Sequence, residues 1–194
     1  MKFPKSYDCY LEFTPGGKGV PYNGGDPRSD GETNHGFRSL KGRTDQVSQI
    51  PEVHDDPALA RFLTLVNASE TAFFTVGCVS GKVADEHGFR MSGYVEFCIN
   101  DKVLAADAVN YFKLFWHFSQ ALSAARFAER VALHWQLLGA LFLEARTDGM
   151  TCPVIINTHY HNSEESAYSC WANTLDFLAT CLVEQSGSRL DRIY

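Results

Sequence analysis

Aromatic and polar residues alternate over residues 7–13, the period of a half-buried strand. The pattern then dissolves. Residues 14–49 are dense in glycine, carry Pro15, Pro21 and Pro27, and hold few aliphatic side chains. Such a stretch cannot offset its ordering entropy by burial, which predicts a long mobile loop. Loops of that length in compact domains are either functional or disordered.

Periodicity returns at Asp55-Asp56-Pro57, a helix start in which Asp56 caps free amides and Pro57 takes the first helical position. Leu59, Phe62, Leu63 and Val66 continue it at helical spacing. Residues 71–79 and 90–100 are β-branched and aromatic, and Asp85-Glu86-His87-Gly88 lies between them, which predicts a hairpin. From 103 to 146 the period reads as helical throughout. Leu104, Ala108, Tyr111, Phe115, Phe118 and Leu122 form one stripe; Phe127, Val131, His134, Leu138, Leu141 and Ala145 form a second. One helix of that length would run about 65 Å. A domain of this size is only about 40 Å across, so a break is expected, placed at 119–123.

Residues 151–160 read as a buried strand ending in Thr158-His-Tyr-His161. Asn162 or Ser163 then caps a last helix with Glu164 and Glu165 at its positive end. Its buried stripe is Tyr168, Trp171, Leu175, Leu178 and Leu182, and Gly187 fits the position just past its end.

The predicted order β-α-β-β-α(α)-β-α within one domain, 1–194, suggests an α+β, ferredoxin-like sandwich. It would be an antiparallel sheet with helices on one face and an extra C-terminal helix. The rival is an α+β arrangement in which the helical hairpin forms its own layer. Either fold is too widely reused to fix a function.

Charge changes the picture only by exclusion. The net charge is −6 and no dense Lys/Arg block occurs, so nucleic acid is not the expected partner. The first eight residues lack the apolar core of a signal peptide, and no run has the length and purity to span a bilayer. The six cysteines, Cys9, Cys78, Cys98, Cys152, Cys170 and Cys181, include no CxxC pair and read as reduced and mostly buried. A cytoplasmic location is the expectation.

Candidate chemistry centres on His159 and His161. Side chains at i and i+2 of a strand share a face, so the pair could hold a divalent metal such as zinc, with Glu164 as a third ligand. Thr158-His-Tyr-His161 resembles the start of the metallo-β-lactamase signature THxHxDH, which would imply a metal-dependent hydrolase. The likeness covers four residues and ends where Ser163 and Glu164 stand in place of Asp and His. Cys152 and His159, seven residues apart, would lie about 23 Å apart on a straight strand, too far for a nucleophile and its base. Thr14-Pro-Gly-Gly-Lys-Gly19 looks like a phosphate cradle but runs into Val20-Pro21 and not into a helix. Asp26, Asp30, Glu32 and His35 lack the spacing of a calcium loop. Glu12 and Glu96 fall on predicted strands as candidate inward carboxylates.

With no complete catalytic set, the leading expectation is a non-catalytic acidic module that binds a protein, in the manner of an immunity or antitoxin-type neutraliser. Aromatic-rich helices also offer a surface through which a homo-oligomer could form. The first alternative is a metal-dependent hydrolase using His159 and His161. The second is a small-ligand binder with residues 14–49 as its lid.

Overall fold

The computed structural model describes residues 7–25 and 33–187; Asp26, Asp30 and Glu32 of the glycine-rich segment lie outside them. Strand β1, Tyr7–Val20, begins where alternation predicts and runs on past Phe13 through Lys18. Helix α1, Pro57–Val66, starts as Asp56 and Pro57 dictate: the Asp56 carboxylate accepts from the Leu59 amide at 3.0 Å. Strands β2, Phe73–Asp85, and β3, Gly88–Ile99, form the expected hairpin. Its turn needs Gly88, whose φ is +118° and whose Cβ, if present, would stand 2.5 Å from the His161 carbonyl oxygen.

Helix α2, Lys102–Ala106, is capped by Asp101. Helix α3, Ala108–Ala124, is capped by Asp107 and ends just past the expected break. The helix does not resume beyond it. Residues 131–142 form strand β4, Val131–Phe142, paired to strand β5, Thr147–Thr158. The predicted second helical stripe, Phe127, Val131, His134, Leu138, Leu141 and Ala145, is therefore corrected. Val131, Leu133, Trp135 and Leu137 alternate into the core instead. Ser163 opens helix α4, Glu164–Gly187, its hydroxyl accepting from the Ser166 amide at 3.2 Å.

The fold is α+β, built on a five-stranded mixed sheet in the order β1-β4-β5-β3-β2. β1 runs parallel to β4 and the other neighbours are antiparallel. This is not the strand order of a ferredoxin-like sandwich, nor a purely antiparallel sheet. The extra strand is the stretch whose period also fits a helix. On one face Phe97 and Trp135 meet Phe115 and Phe118 of α3, with ring centroids 5.1–5.8 Å from Trp135. Phe118 and Phe127 continue onto Phe177 of α4, and α1 packs on α4. There the buried Asp56 carboxylate also accepts from Trp171 Nε1 at 2.8 Å and Tyr168 Oη at 3.1 Å.

The opposite face is the inside of a curl. Lys18 lies opposite Ala140, Ala140 opposite Gly149, and Glu96 opposite Pro153. On a flat sheet that places Lys18 and Glu96 about 19 Å apart, from three strand spacings and a four-residue offset. Their charged groups are nevertheless 2.6 Å apart. Phe74 of β2 and Phe142 of β4, separated by two strands, likewise bring their rings to 6.4 Å. Only a sheet curled toward this face allows both contacts, and the curl buries Glu96, Cys98 and Thr151 inside it. Pro15 and Gly16 form the bulge where β1 bends. Opposite the bend Gly17 has no room for a side chain, since a Cβ there would overlap the Gly139 carbonyl at 1.5 Å.

Beyond β1 the chain folds back on itself. The Phe37 amide donates to the Tyr22 carbonyl at 3.0 Å and the Gly25 amide to the Asn34 carbonyl at 2.9 Å, so 22–25 and 34–37 run as a paired strap. Residues 44–49 and 51–53 form short 3₁₀ turns before α1.

Candidate functional site

The predicted histidine pair sits at the end of β5. The strand stops at Thr158, and the exposed His159 donates its amide to the Arg130 carbonyl at 2.8 Å. His161 pairs through its backbone with Phe89 in both directions, at 2.8 and 3.0 Å, which extends the sheet by one bridge. Its buried Nε2 has no hydrogen-bond partner among the described residues. Glu164 points to Lys82 and forms an ion pair at 2.5 Å with both side chains about half exposed. Around the pair, Tyr160 donates to Asp85 at 2.5 Å, and the Arg90 guanidinium lies 5.4 Å from the Tyr160 ring centre. Tyr160, followed by the His87 amide, holds the Asp85 carboxyl below its ordinary range. Among the described residues no group of three or more His, Cys, Asp or Glu side chains is placed to hold a metal.

The thiols offer no nucleophile. All six are free. Burial pushes Cys9, Cys78, Cys98 and Cys170 up to about 12, and fully buried Cys152 well above the ordinary thiol value. A thiolate, not a thiol, attacks, and these groups stay protonated at neutral pH.

The structure instead assembles a site that spacing along the chain does not reveal. A cavity of about 510 Å³ is lined by residues 75–79 of β2 in unbroken succession. The strap supplies Tyr22, His35 and Arg38; Glu52, Ile50 and Leu63 close the far side. Lys18 stands at its wall. Its ammonium lies 2.6 Å from Glu96 Oε2 and 4.6 Å from the Tyr22 ring centre. The Glu96 side chain is 2% exposed while that of Lys18 is 36% exposed, so the pair runs from the interior to the cavity. The other Glu96 oxygen, Oε1, is buried without a hydrogen-bond partner among the described residues.

Tyr22 donates to the Val76 carbonyl at 3.0 Å. Val76 is the extra residue of a bulge, between the pairs Thr75–Phe97 and Gly77–Glu96. Gly77 makes the cluster fit: a Cβ there would lie 2.9 Å from Tyr22 Oη and 3.5 Å from both Tyr94 Oη and Glu96 Oε2. Burial, reinforced by Glu96, raises both phenols, Tyr94 to about 12. They stay neutral at physiological pH, able to donate hydrogen bonds but not to act as general bases. The arrangement is suited to holding a polar molecule.

Of the two carboxylates expected to face inward, Glu96 does so. Glu12 is 56% exposed and lies 3.0 Å from His134 Nε2. In the sequence Lys18 stands only as part of a glycine-rich loop, and its pairing with Glu96 depends on the curl of the sheet.

A second cavity, about 420 Å³, lies beside Pro21 and Phe37. Phe37, Phe74 and Phe142 line it beneath Lys41, Arg43 and Lys102. Lys41 is committed to the fold, donating at 2.6 Å to the carbonyls of Ala68 and Thr71 and to the Thr71 hydroxyl.

No helix among the described residues is long and apolar enough to cross a membrane. Comparison with models of known families, with curated proteins and with solved structures finds no match to this chain.

Proposed function

We propose that the protein binds a small polar ligand in the cavity along β2, with the glycine-rich 14–49 segment as its cover. The observation that carries this reading is the origin of the walls. Tyr22, His35 and Arg38 come from a segment with too few apolar residues to order itself by burial, yet they converge with Lys18 on one cavity. Volume and mixed lining suit a molecule of small-metabolite size. The experiment is equilibrium dialysis of the protein against the small-molecule fraction of its native cells, read by mass spectrometry, beside Arg38→Glu. The reading expects a compound enriched by the wild type and not by the variant. Enrichment of nothing, or equal enrichment by both proteins, refutes it.

The protein-binding reading draws on a different surface. Val109, Phe112 and Trp116 follow one another at helical spacing along α3 and are 48%, 40% and 66% exposed. A stripe of this kind is a common interface element. Co-purification from the native host with wild type and Trp116→Glu tests it; a partner retained equally by both removes α3 from the interface.

A further inference from the structure

We infer that the ligand class of the β2 cavity is a short extended peptide with free termini, bound by strand addition to the edge of β2. The inference rests on the cavity being a ligand site.

Three observations converge. First, β2 is an edge of the sheet, hydrogen-bonded to β3 on one side. Five consecutive β2 residues, 75–79, line the cavity. A cavity built for one side chain or ring touches scattered positions of a strand. An unbroken run instead presents alternating amide and carbonyl groups over about 17 Å, the complement of another extended backbone.

Second, the chain already makes one such contact. Tyr22 donates its hydroxyl to the Val76 carbonyl at 3.0 Å, which is what an amide of an added strand would do. It caps the bulge and leaves the run from Gly77 to Val79 facing the cavity.

Third, the charges on the walls are of both signs. Lys18 is neutralised by Glu96. Arg38 and Glu52 remain as one full cation and one full anion among the described lining residues, with His35 beside them. Among the described residues Arg38 donates to a neutral group, Gln49 Oε1, at 3.3 Å. A single anion or cation would leave one wall charge unmatched. A zwitterionic chain places its carboxylate at Arg38 and its ammonium at Glu52.

The test is a randomised library of tetrapeptides with free termini, screened on the full chain by affinity selection, with calorimetry of the best binder. Methylating the peptide's backbone nitrogens one at a time should weaken binding about tenfold or more at alternate positions, those that face β2. Amidating its C-terminus should cost wild type about tenfold and cost Arg38→Gln little, because the variant has already lost that contact. Acetylating its N-terminus should behave the same way against Glu52→Gln. If every N-methylated peptide binds as well as the parent, strand addition is wrong. If no peptide binds while the cell-extract dialysis enriches a non-peptide compound, the peptide class is wrong and the cavity reading stands. If neither experiment yields a ligand, both fail together.

Discussion

The Lys18–Glu96 pair gives the sharpest test of the architecture, because it exists only if the sheet curls. Lys18→Met removes the cation and leaves the Glu96 carboxylate, 2% exposed, without its counter-charge. Breaking a fully buried pair costs about 3–5 kcal/mol. Here the lysine side chain is 36% exposed, so water can enter through the opening and screening discounts the loss to about 2–3 kcal/mol. Glu96→Gln is milder. The orphaned ammonium is already partly hydrated and keeps its place over the Tyr22 ring, for a cost of about 1 kcal/mol. The double variant leaves no buried charge and should cost about 1–2 kcal/mol, which makes the coupling between the sites about 2 kcal/mol. Urea unfolding of the four proteins, with shared slopes, measures the cycle. A Lys18→Met cost below about 0.5 kcal/mol, or costs that simply add, would mean the two groups do not meet. The curl, and the cavity wall it creates, would fall with them.

The packing sets four further outcomes. Asp56→Ala removes the cap of α1 and orphans the buried Trp171 Nε1; about 3 kcal/mol of stability should be lost in urea titration, about 1 from the cap and the rest from the indole. Arg126→Gly relieves a non-glycine residue held at φ +52° and should stabilise by about 1 kcal/mol, raising the thermal midpoint. Thiols at about 12 should react with a disulfide reagent at pH 8 about a thousandfold more slowly in the native protein than after unfolding; one fast native thiol would contradict the burial of that group. Tyr160→Phe takes away the largest influence holding Asp85 low, so the Asp85 carboxyl, monitored by NMR, should titrate closer to its ordinary 3.8. Because the folded value is depressed, the linked stability is full above the ordinary value and lost as pH falls through the folded one; a wild-type Asp85 that titrates at or above 3.8 would break the argument.

What the chain discloses about itself divides by range. Local signals are legible: Asp56 with Pro57, Ser163 before Glu164, and the β2–β3 hairpin each act within a few residues. Strand β4 is concealed for two local reasons. Leu138 and Leu141 are apolar on both sides of the alternation, so Val131–Phe142 satisfies a helical period as well as a strand period. The stop that ends α3 also carries no glycine. Phe127 donates its amide to the Leu122 carbonyl at 3.1 Å and Arg126 to Ser123 at 3.3 Å, the bonding of a left-handed helix end, with arginine where glycine is usual. With no glycine at the stop, the sequence reads as a second helix resuming beyond the break.

The site is hidden for a different reason. Lys18 and Glu96 are 78 residues apart and, on a flat sheet, too far apart to touch. Their meeting depends on a bulge at Pro15-Gly16, on glycines at 17 and 139 that admit close backbones, on Gly77 that leaves room for the Tyr22, Tyr94 and Glu96 side chains, and on the strap that pins Tyr22 to Val76. Each of those residues, taken alone, reads as loop or as weak strand. Glycine density that predicts a lack of order in an isolated segment is the same property that lets backbone approach backbone inside a curled sheet. Between these two meanings only the partner strand decides, and the partner is chosen by the parallel pairing of β1 with β4, the strand that the helical period conceals.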